Sequence, residues 1–336
     1  MTSAPNVLVV GGGGYIGSHM VRMLAEQGFN PTTLDNFSEG HRDAVLAGAI
    51  IEADIRDAAA IQAALAGRTF DAAMHFAASA YVRESVQAPR KYYVNNVAGT
   101  LNLANTLLDL GVKRLVFSST CATFGAIDED IAEDAPQRPI NPYGATKLMM
   151  ERLLSDYGDA YGLASISLRY FNAAGASLDG ALSERHEPEP HIIPLVLREA
   201  RRVLDGGDPA HTMLEVFGVD FPTPDGSCVR DYIHVEDLCR AHLLALQRLL
   251  ADAVTGAEHF NLGSGRGVSV LELIEAARRV TGAPIQSIIG PRRRGDPARL
   301  VASSKRAEAV LGWQPRHDLT TILESAWRAT YGTRST

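Results

Sequence analysis

A doubly wound α/β fold with a parallel sheet is predicted for the first half of the chain by two observations, and the chain length predicts a further domain. Short apolar, β-branched runs alternate with segments of helical period as far as residue 170. A glycine-rich turn at residues 11–17 directly follows the first of these runs. The chain has 336 residues, which leaves room for a second, smaller domain. Such alternation is typical of parallel sheets with right-handed crossovers.

The alternation assigns the elements in chain order. Strands are predicted at Asn6–Val10, Thr32–Asp35, Ala49–Ala53, Ala72–Phe76, Arg114–Ser118 and Ser165–Tyr170. Helices are predicted at Ile16–Gln27, Ala58–Ala66, Tyr92–Leu110 and Tyr143–Tyr161. A β-α pattern returns with Arg230–Val235 and the helix Val235–Leu250.

After Asn172 the composition changes, which predicts a second domain. Residues 179–191 and 206–226 are rich in Pro, Gly and acidic residues, and long irregular stretches in compact proteins are often binding loops. We expect a dinucleotide-binding domain of residues 1–172 plus about 227–262. A smaller C-terminal α/β substrate domain would comprise about 173–226 plus 263–336, with its loops over the end of the sheet.

Composition excludes several function classes. The net charge of −7 and pI of about 5.8 give no general attraction to nucleic acid or anionic membranes. Three cysteines without a Cys-x-x-Cys motif predict neither a disulfide framework nor a zinc ribbon. The N-terminus lacks signal-peptide features, and the apolar helix Ala241–Leu250 is interrupted by polar residues. We expect a cytoplasmic protein without nucleic-acid or membrane partners.

The turn Gly11–Gly17 has the spacing of a dinucleotide-binding motif. Glycines at 11, 14 and 17 permit a tight turn and let backbone N–H groups at the helix start approach a pyrophosphate. Asp35 ends the second strand 18 residues after Gly17. A carboxylate there accepts hydrogen bonds from the adenosine ribose and repels a 2′-phosphate, so NAD is favoured over NADP.

Three further segments are candidates for the cofactor site. Asp54-Ile55 follows the third strand, where a carboxylate could meet an adenine amino group; the alternative is a helix cap. Phe76–Ala80 leaves the fourth strand with small residues, as a close cofactor requires. Asn95 lies on a helix that should face the site, where a purely structural hydrogen bond is the alternative.

A hydroxyl residue followed by a tyrosine-lysine pair indicates hydride chemistry. Thr120 ends a strand at the carboxyl edge of the sheet, where ligands of open α/β sheets bind; capping a turn is the alternative. Tyr143 and Lys147 are four residues apart, so on a helix they lie one turn from each other. An adjacent ammonium favours the ionised form of a phenol, which predicts a general base.

Together these motifs resemble the extended branch of the short-chain dehydrogenase/reductase superfamily, with its Rossmann fold, and within it the UDP-glucose 4-epimerase family. The resemblance covers nearly the whole chain. Its most specific parts are residues 117–125, Arg169–Asn172, and the substrate-side residues 217–220 and 225–235.

The resemblance implies roles for individual residues. Tyr143 would be the general base, Lys147 would lower its pKa, and Thr120 would order the sugar hydroxyl. The NAD site would comprise Gly11, Gly14, Tyr15, Ile16, Gly17, Asp35, Asn36, Phe37, Ser38, Glu39, Gly40, Asp54, Ile55, Phe76, Ala77, Ala78, Ser79, Ala80, Asn95, Tyr143, Lys147 and Phe171. UDP-glucose or UDP-galactose would be held by Thr120, Tyr143, Asn172, His191, Glu215, Val216, Phe217, Arg230, Arg293, Asp296 and Leu300. A homodimer formed through the helices at 92–110 and 143–161 is also implied.

Three positions depart from the pattern. Ala80 stands where some members have a lysine near the cofactor, and Arg83 replaces a common glycine. Leu300 falls where a large aromatic excludes N-acetyl sugars and a small residue admits them, so hexosamine activity stays open.

Several alternative functions remain. One is another nucleotide-sugar epimerase, acting on N-acetylhexosamine, pentose or uronate sugars, and another is a non-catalytic NAD-sensing protein. A dehydratase is disfavoured, because Cys121-Ala122 stands where similar dehydratases have Asp-Glu. No metal is expected, since His186 and His191 flank a Pro/Glu loop without a recognised third ligand.

Overall fold

A computed structural model describes residues 4–127, 129–293 and 296–332. Its strands are β1 Asn6–Val10, β2 Asn30–Asp35, β3 Ala49–Glu52, β4 Ala72–His75, β5 Arg114–Thr120, β6 Ala164–Tyr170, β7 Asn172–Ala174, β8 Glu215–Phe217, β9 Val229–His234, β10 Ala257–Leu262, β11 Gly267–Ser269, β12 Ile288–Gly290 and β13 Arg299–Leu300. Its α-helices are α1 Tyr15–Glu26, α2 Ala58–Leu65, α3 Val82–Gln87, α4 Pro89–Tyr92, α5 Gly99–Asp109, α6 Pro142–Tyr161, α7 Ile192–Leu204, α8 Val235–Leu250, α9 Val270–Thr281, α10 Lys305–Leu311 and α11 Leu319–Tyr331.

Seven parallel strands form the large sheet, in the order β10-β6-β5-β4-β1-β2-β3. Alternate residues of each strand face opposite sides, and both sides are covered. Val7 and Val9 pack with α1 and α8, whereas Leu8 and Val10 pack with α2, α5 and α6. Helices on both faces of a parallel sheet confirm the doubly wound fold predicted from the sequence.

A smaller α/β region stands apart from this sheet. Strand β9 pairs with β7, β11 and β13, while β8 pairs with β12. Helices α7, α9 and α11 enclose its apolar core together with Tyr232 and Val216. The segment 227–262 therefore contributes strand β9 to the small sheet and strand β10 to the large one. Its helix α8 packs against the large sheet. The domain limits given above stay a prediction.

The helix predicted at 92–110 is interrupted. Residues Tyr93–Ala98 form a π-helical turn between α4 and α5. Such insertions are frequent at functional sites, and they shift the side chains that follow around the helix axis. In the part of the chain that is described, no helix is both long and apolar enough to cross a membrane.

Candidate active site

The glycine turn joins β1 to α1, and its spacing is sterically required. A Cβ added to Gly11, whose φ is +83°, would lie 2.4 Å from the backbone nitrogen of Ala77. A Cβ on Gly17 would lie 2.0 Å from the carbonyl oxygen of Gly11. Helix α1 is capped by Gly14 without a side-chain hydrogen bond, and its first turn contains no acidic residue. The helix start can therefore receive an anionic group, so these residues fit a pyrophosphate.

Asp35 connects this turn to the next loop. Its carboxylate accepts hydrogen bonds from the backbone N–H of Gly13 at 2.9 Å and of Phe37 at 2.8 Å. Phe37 has a φ of +54°, an uncommon conformation for a non-glycine residue and one that is often found at functional sites. The backbone of His41 then donates to Gly13 at 2.8 Å. The loop 36–40 is thus held against the glycine turn. This position agrees with the prediction that both segments line the NAD site.

Asp54 is engaged by neighbouring side chains. It accepts from the amide of Asn36 at 2.8 Å, and Asn36 also accepts from the backbone and hydroxyl of Ser38. The hydrogen bond from Arg56 holds the Asp54 pKa well below its usual range, so the carboxylate is charged. Helix α2 is capped by Asp57, which accepts from Ala60 at 3.0 Å, so Asp54 is not its cap.

The loop after β4 is fixed by a residue that the sequence reasoning missed. The buried amide of Asn96 accepts from the backbone N–H of Ser79 at 2.9 Å and donates to its carbonyl at 3.0 Å. It also donates to the Thr146 hydroxyl at 3.1 Å. Asn95, the predicted residue, is half-buried and donates to the Asn96 side chain. The only sequence signal for this role was the second asparagine, which directly follows Asn95.

Some predicted cofactor residues lie in apolar surroundings. Ile55 is buried in the core between the sheet and α5, and Phe171 is buried against Cys121 and Phe124. The Phe76 ring lies 4.9 Å from that of His242. Gly11, Gly17, Ser79, Tyr143 and Lys147 are buried. The other predicted cofactor positions not yet described are half-buried or exposed: Gly14, Tyr15, Ile16, Glu39, Gly40, Ala77, Ala78 and Ala80.

Thr120, Tyr143 and Lys147 converge at the carboxyl end of β5. Helix α6 begins at Pro142, because Asn141 accepts from the backbone N–H of Gly144 at 2.8 Å and caps the first turn. This start places Tyr143 beside Thr120, with which it shares a hydrogen bond. The Thr120 hydroxyl also accepts from Ala122 at 3.2 Å, so the capping alternative holds as well.

The protein by itself shifts both pKa values of the pair towards the neutral forms. Burial raises the pKa of Tyr143 to about 12, although the hydrogen bond with Thr120 acts in the opposite direction. Burial lowers the pKa of Lys147 to about 7, although the charge of Glu151 raises it. The Lys147 ammonium donates to the carbonyl of Ser118 at 2.7 Å. Its role in lowering the Tyr143 pKa stays a prediction.

A buried ion pair lies one turn beyond Lys147. The Arg169 guanidinium donates to both carboxylate oxygens of Glu151, at 2.9 and 2.6 Å, and both side chains are 3% exposed. Ser119 donates to the same carboxylate. Tyr143, Lys147 and Glu151 therefore form a continuous polar row on the buried face of α6. Its last member follows the predicted pair at the same four-residue spacing, which was the signal in the sequence.

Several of the predicted UDP-sugar residues lie in or next to the two small sheets, one of β7, β9, β11 and β13 and the other of β8 and β12. Arg230 is 3.9 Å from the Asp296 carboxylate and donates to the carbonyl of Pro297 at 3.0 Å. The guanidinium of Arg293 lies 3.5 Å from the centre of the Phe217 ring. Leu300 pairs with Arg230 in the register of β13 and β9.

Arg230 is also close to the neighbour of the predicted catalytic Thr120. The charge of Arg230 acts on the buried thiol of Cys121, the neighbour of Thr120, and partly offsets the rise that burial causes in its pKa. Asn172 donates to the carbonyl of Asp231 at 2.9 Å, next to Arg230. Glu215 is half-buried, and the side chain of Val216 is buried in the apolar core of the smaller α/β region.

His191 lies in a separate cluster. Its Nδ1 is 3.0 Å from Glu184 Oε1 and 2.8 Å from Glu189 Oε1. His186 Nε2 is 3.2 Å from the same Glu184 oxygen. The sequence-based statement that the two histidines lack a third candidate ligand is therefore wrong, because the loop folds back and brings Glu184 to both.

Comparisons with known proteins agree with this architecture. The family model described as "NAD dependent epimerase/dehydratase family" matches residues 7–263. The chain belongs to this family. It is 47% identical to a UDP-glucose 4-epimerase of Halalkalibacterium halodurans over 96% of this chain and 94% of that protein.

Solved structures of the family superpose on the whole chain. The UDP-glucose 4-epimerase of Brucella ovis in complex with NAD has a TM-score of 0.91 and 46% identity, covering 98% of this chain and 99% of that one. The enzyme of Bifidobacterium longum in complex with NAD+ and UDP has a TM-score of 0.89 and 33% identity, covering 98% and 100%. The resemblance to the UDP-glucose 4-epimerases drawn from the motifs is thus confirmed.

Proposed function

We propose that this chain is an NAD-dependent isomerase that interconverts UDP-galactose and UDP-glucose through a 4-keto sugar. One observation carries the proposal: Thr120, Tyr143 and Lys147 meet at the carboxyl end of β5, in the same sheet as the strand that leads into the glycine turn, and the charge of Arg230 acts on Cys121 beside them. NAD supplies the hydride acceptor and donor when bound, and the family relationship supports it as cofactor. The glycine turn and Asp35 would hold it.

Tyr143 and Thr120 perform the proton transfer. Tyr143 as phenolate accepts the proton of the sugar 4-hydroxyl at Oη and later returns it, while Thr120 orients that hydroxyl. Burial alone opposes the phenolate, because it raises the Tyr143 pKa. A protonated Lys147, one helical turn along α6, could offset this, and its pKa near 7 makes its charge sensitive to pH.

Binding through two cations, Arg230 and Arg293, explains how one site can transfer hydride to and from either face of a sugar. Arg230 and Arg293 suit a pyrophosphate through charge-assisted hydrogen bonds. Most of the binding energy then comes from UDP, and the sugar makes few fixed contacts. A sugar held in this way is free to rotate about its bond to UDP between the two hydride transfers.

The size of the side chain at position 300 determines which sugars the site accepts. This side chain is smaller than an aromatic ring and larger than a glycine, and it lies in register with Arg230. UDP-N-acetylhexosamines are therefore a second candidate substrate class, together with pentose and uronate sugars. Turnover assays with each UDP-sugar separate these candidates.

A homodimer is also proposed, on the basis of exposed apolar side chains. Tyr93, Val94 and Leu101 follow one another along the π-turn and α5, and they are 39%, 46% and 38% exposed. Met149 on the adjacent α6 is 46% exposed. Packing these two helices against their copies would cover this surface.

The Tyr143→Phe variant tests the proposed function. It should lose interconversion of UDP-galactose and UDP-glucose by at least about 10²-fold, because no general base remains, while UDP binding is retained. The matched control is Tyr161→Phe, which makes the same change at an exposed position of the same helix. Near-normal turnover by Tyr143→Phe would overturn the assignment of the base.

A further inference from the structure

Glu184 and His186 have no role in the site described above, and they form a cluster with His191, one of the predicted UDP-sugar residues. One carboxylate oxygen, Glu184 Oε1, is 3.2 Å from His186 Nε2 and 3.0 Å from His191 Nδ1. These three ligand atoms all lie within 4.8 Å of one another. Two ligands of a tetrahedral zinc, each about 2.0–2.1 Å from the ion, are about 3.3 Å apart, so the donor atoms are already spaced for a shared metal.

The charges of the cluster also favour a cation. The side chains of Glu184 and Glu189 are only 7% and 11% exposed, and Glu189 lies 2.8 Å from His191 Nδ1. Among the described residues, no lysine or arginine forms a salt bridge with either carboxylate. Carboxylates taken out of water need a partner or a metal, and here the immediate partners are imidazoles.

A neighbouring tyrosine orients one imidazole as metal sites require. Tyr81 Oη is 3.0 Å from His186 Nδ1, which leaves Nε2 directed at Glu184. Tyr81 also donates to the Glu39 carboxylate at 3.1 Å. Metal-binding histidines usually have such a partner on their second nitrogen, because it selects the tautomer and fixes the ring.

We propose that Glu184, His186 and His191 bind a zinc ion, with Glu189 beside His191 or a water as the fourth ligand. Two imidazoles and a carboxylate are a ligand set typical of zinc. The proposed role is structural: the ligands belong to the loop 184–191, and neither Thr120 nor Tyr143 is a member of the cluster.

The position of the site indicates what the ion would do: it would link two loops. The loop that carries it is already tied to the predicted cofactor loop, since Arg185 makes a two-pronged salt bridge to Asp43 at 2.8 and 2.9 Å. Tyr81 provides a second link, to Glu39. A zinc ion would lock the loop 183–191 against residues 36–43 and slow the release of NAD. This consequence, unlike the metal site itself, rests on the proposed function.

The test measures zinc in the full-length protein, produced without a histidine tag. After dialysis against a chelator, the protein is offered equimolar zinc chloride, desalted, and analysed by mass spectrometry of the metal. Wild type should retain about one zinc per chain. Glu184→Gln and His186→Gln, which keep side-chain volume, should lose zinc, and Tyr81→Phe should bind it about 10–100-fold more weakly.

The matched control is His211→Gln, which removes an exposed histidine outside the cluster and should retain zinc like wild type. Chelation should also accelerate NAD loss from wild type but not from Glu184→Gln. Zinc content in wild type no higher than in Glu184→Gln would overturn the site, and would mean that the histidines are held by their carboxylates alone. Because zinc is counted without an activity assay, this result leaves the epimerase proposal intact. Failure of UDP-galactose turnover would likewise leave the metal site intact.

Discussion

Lys147 should make the folding stability depend on pH, and replacing it by methionine should remove that dependence. Burial lowers the pKa of this ammonium from 10.5 to about 7, although the charge of Glu151 raises it. Between these values the unfolded chain keeps a proton that the folded chain has released, so stability rises as pH rises. Below about pH 7 the lysine is protonated in both the folded and the unfolded chain, and the destabilisation of the folded state by the buried ammonium is largest.

The magnitude follows from the gap between the two pKa values. From 10.5 to about 7 it is about 3.5, which at about 1.36 kcal/mol for each pH unit corresponds to about 5 kcal/mol. Roughly 2–3 kcal/mol of this lies between pH 7 and pH 9. Lys147→Met should therefore be more stable than wild type near pH 7, and its advantage should shrink by that amount at pH 9. The hydrogen bond lost at Ser118 adds an offset that does not vary with pH.

Urea unfolding at pH 7, 8 and 9 measures this change, with wild type and variant matched in cofactor content. Because all other titrating groups are common to the two proteins, the difference between them isolates Lys147. Lys113→Met controls for the loss of a lysine at an exposed position. If the free energies of unfolding of wild type and Lys147→Met ran parallel from pH 7 to pH 9, the buried amine would not have the lowered pKa inferred for it.

Three further outcomes are expected. Glu151→Gln should cost about 3–5 kcal/mol in urea unfolding, because it leaves the Arg169 guanidinium buried without its counter-charge; a loss below about 1 kcal/mol would contradict the burial of the pair. Leu101→Lys should turn the proposed dimer into a monomer in light scattering, and a wild type that is already monomeric refutes the interface. Leu300→Tyr should reduce turnover of UDP-N-acetylglucosamine relative to UDP-glucose, whereas an unchanged ratio would place sugar selection elsewhere.

Much of the large sheet and its functional edge could be predicted from the sequence. Parallel strands bring their carboxyl ends to one edge, so residues such as Asp35 and Thr120 converge whatever the lengths of the intervening loops. The π-turn at Tyr93–Ala98 could not be predicted, because residues with ordinary helical character form it. The sheet in which β9 lies also escaped prediction, since the pattern 230–235 indicates a strand but not its partner.

Two side-chain clusters could not be predicted from the sequence either. Arg169 and Glu151 belong to β6 and α6, and only the packing of that helix on the sheet makes them partners. Glu184 meets His186 and His191 because of the path of an irregular loop. Periodicity carries no information about either arrangement, so both had to be read from the structure.

The polar row of α6 shows why the functional edge is also a costly one. A helix packed on a sheet would be more stable with apolar residues at the positions of Tyr143, Lys147 and Glu151, since a buried ion pair often contributes little net stability. The partner of Glu151 determines whether Lys147 can change its charge. If Lys147 alone neutralised Glu151, the amine would be held in its charged form by a buried salt bridge. Because Arg169 takes both carboxylate oxygens, Glu151 only partly offsets the burial of Lys147, whose pKa stays near 7. The buried pair thus leaves the lysine able to change charge in the pH range of the proton transfer proposed at Tyr143.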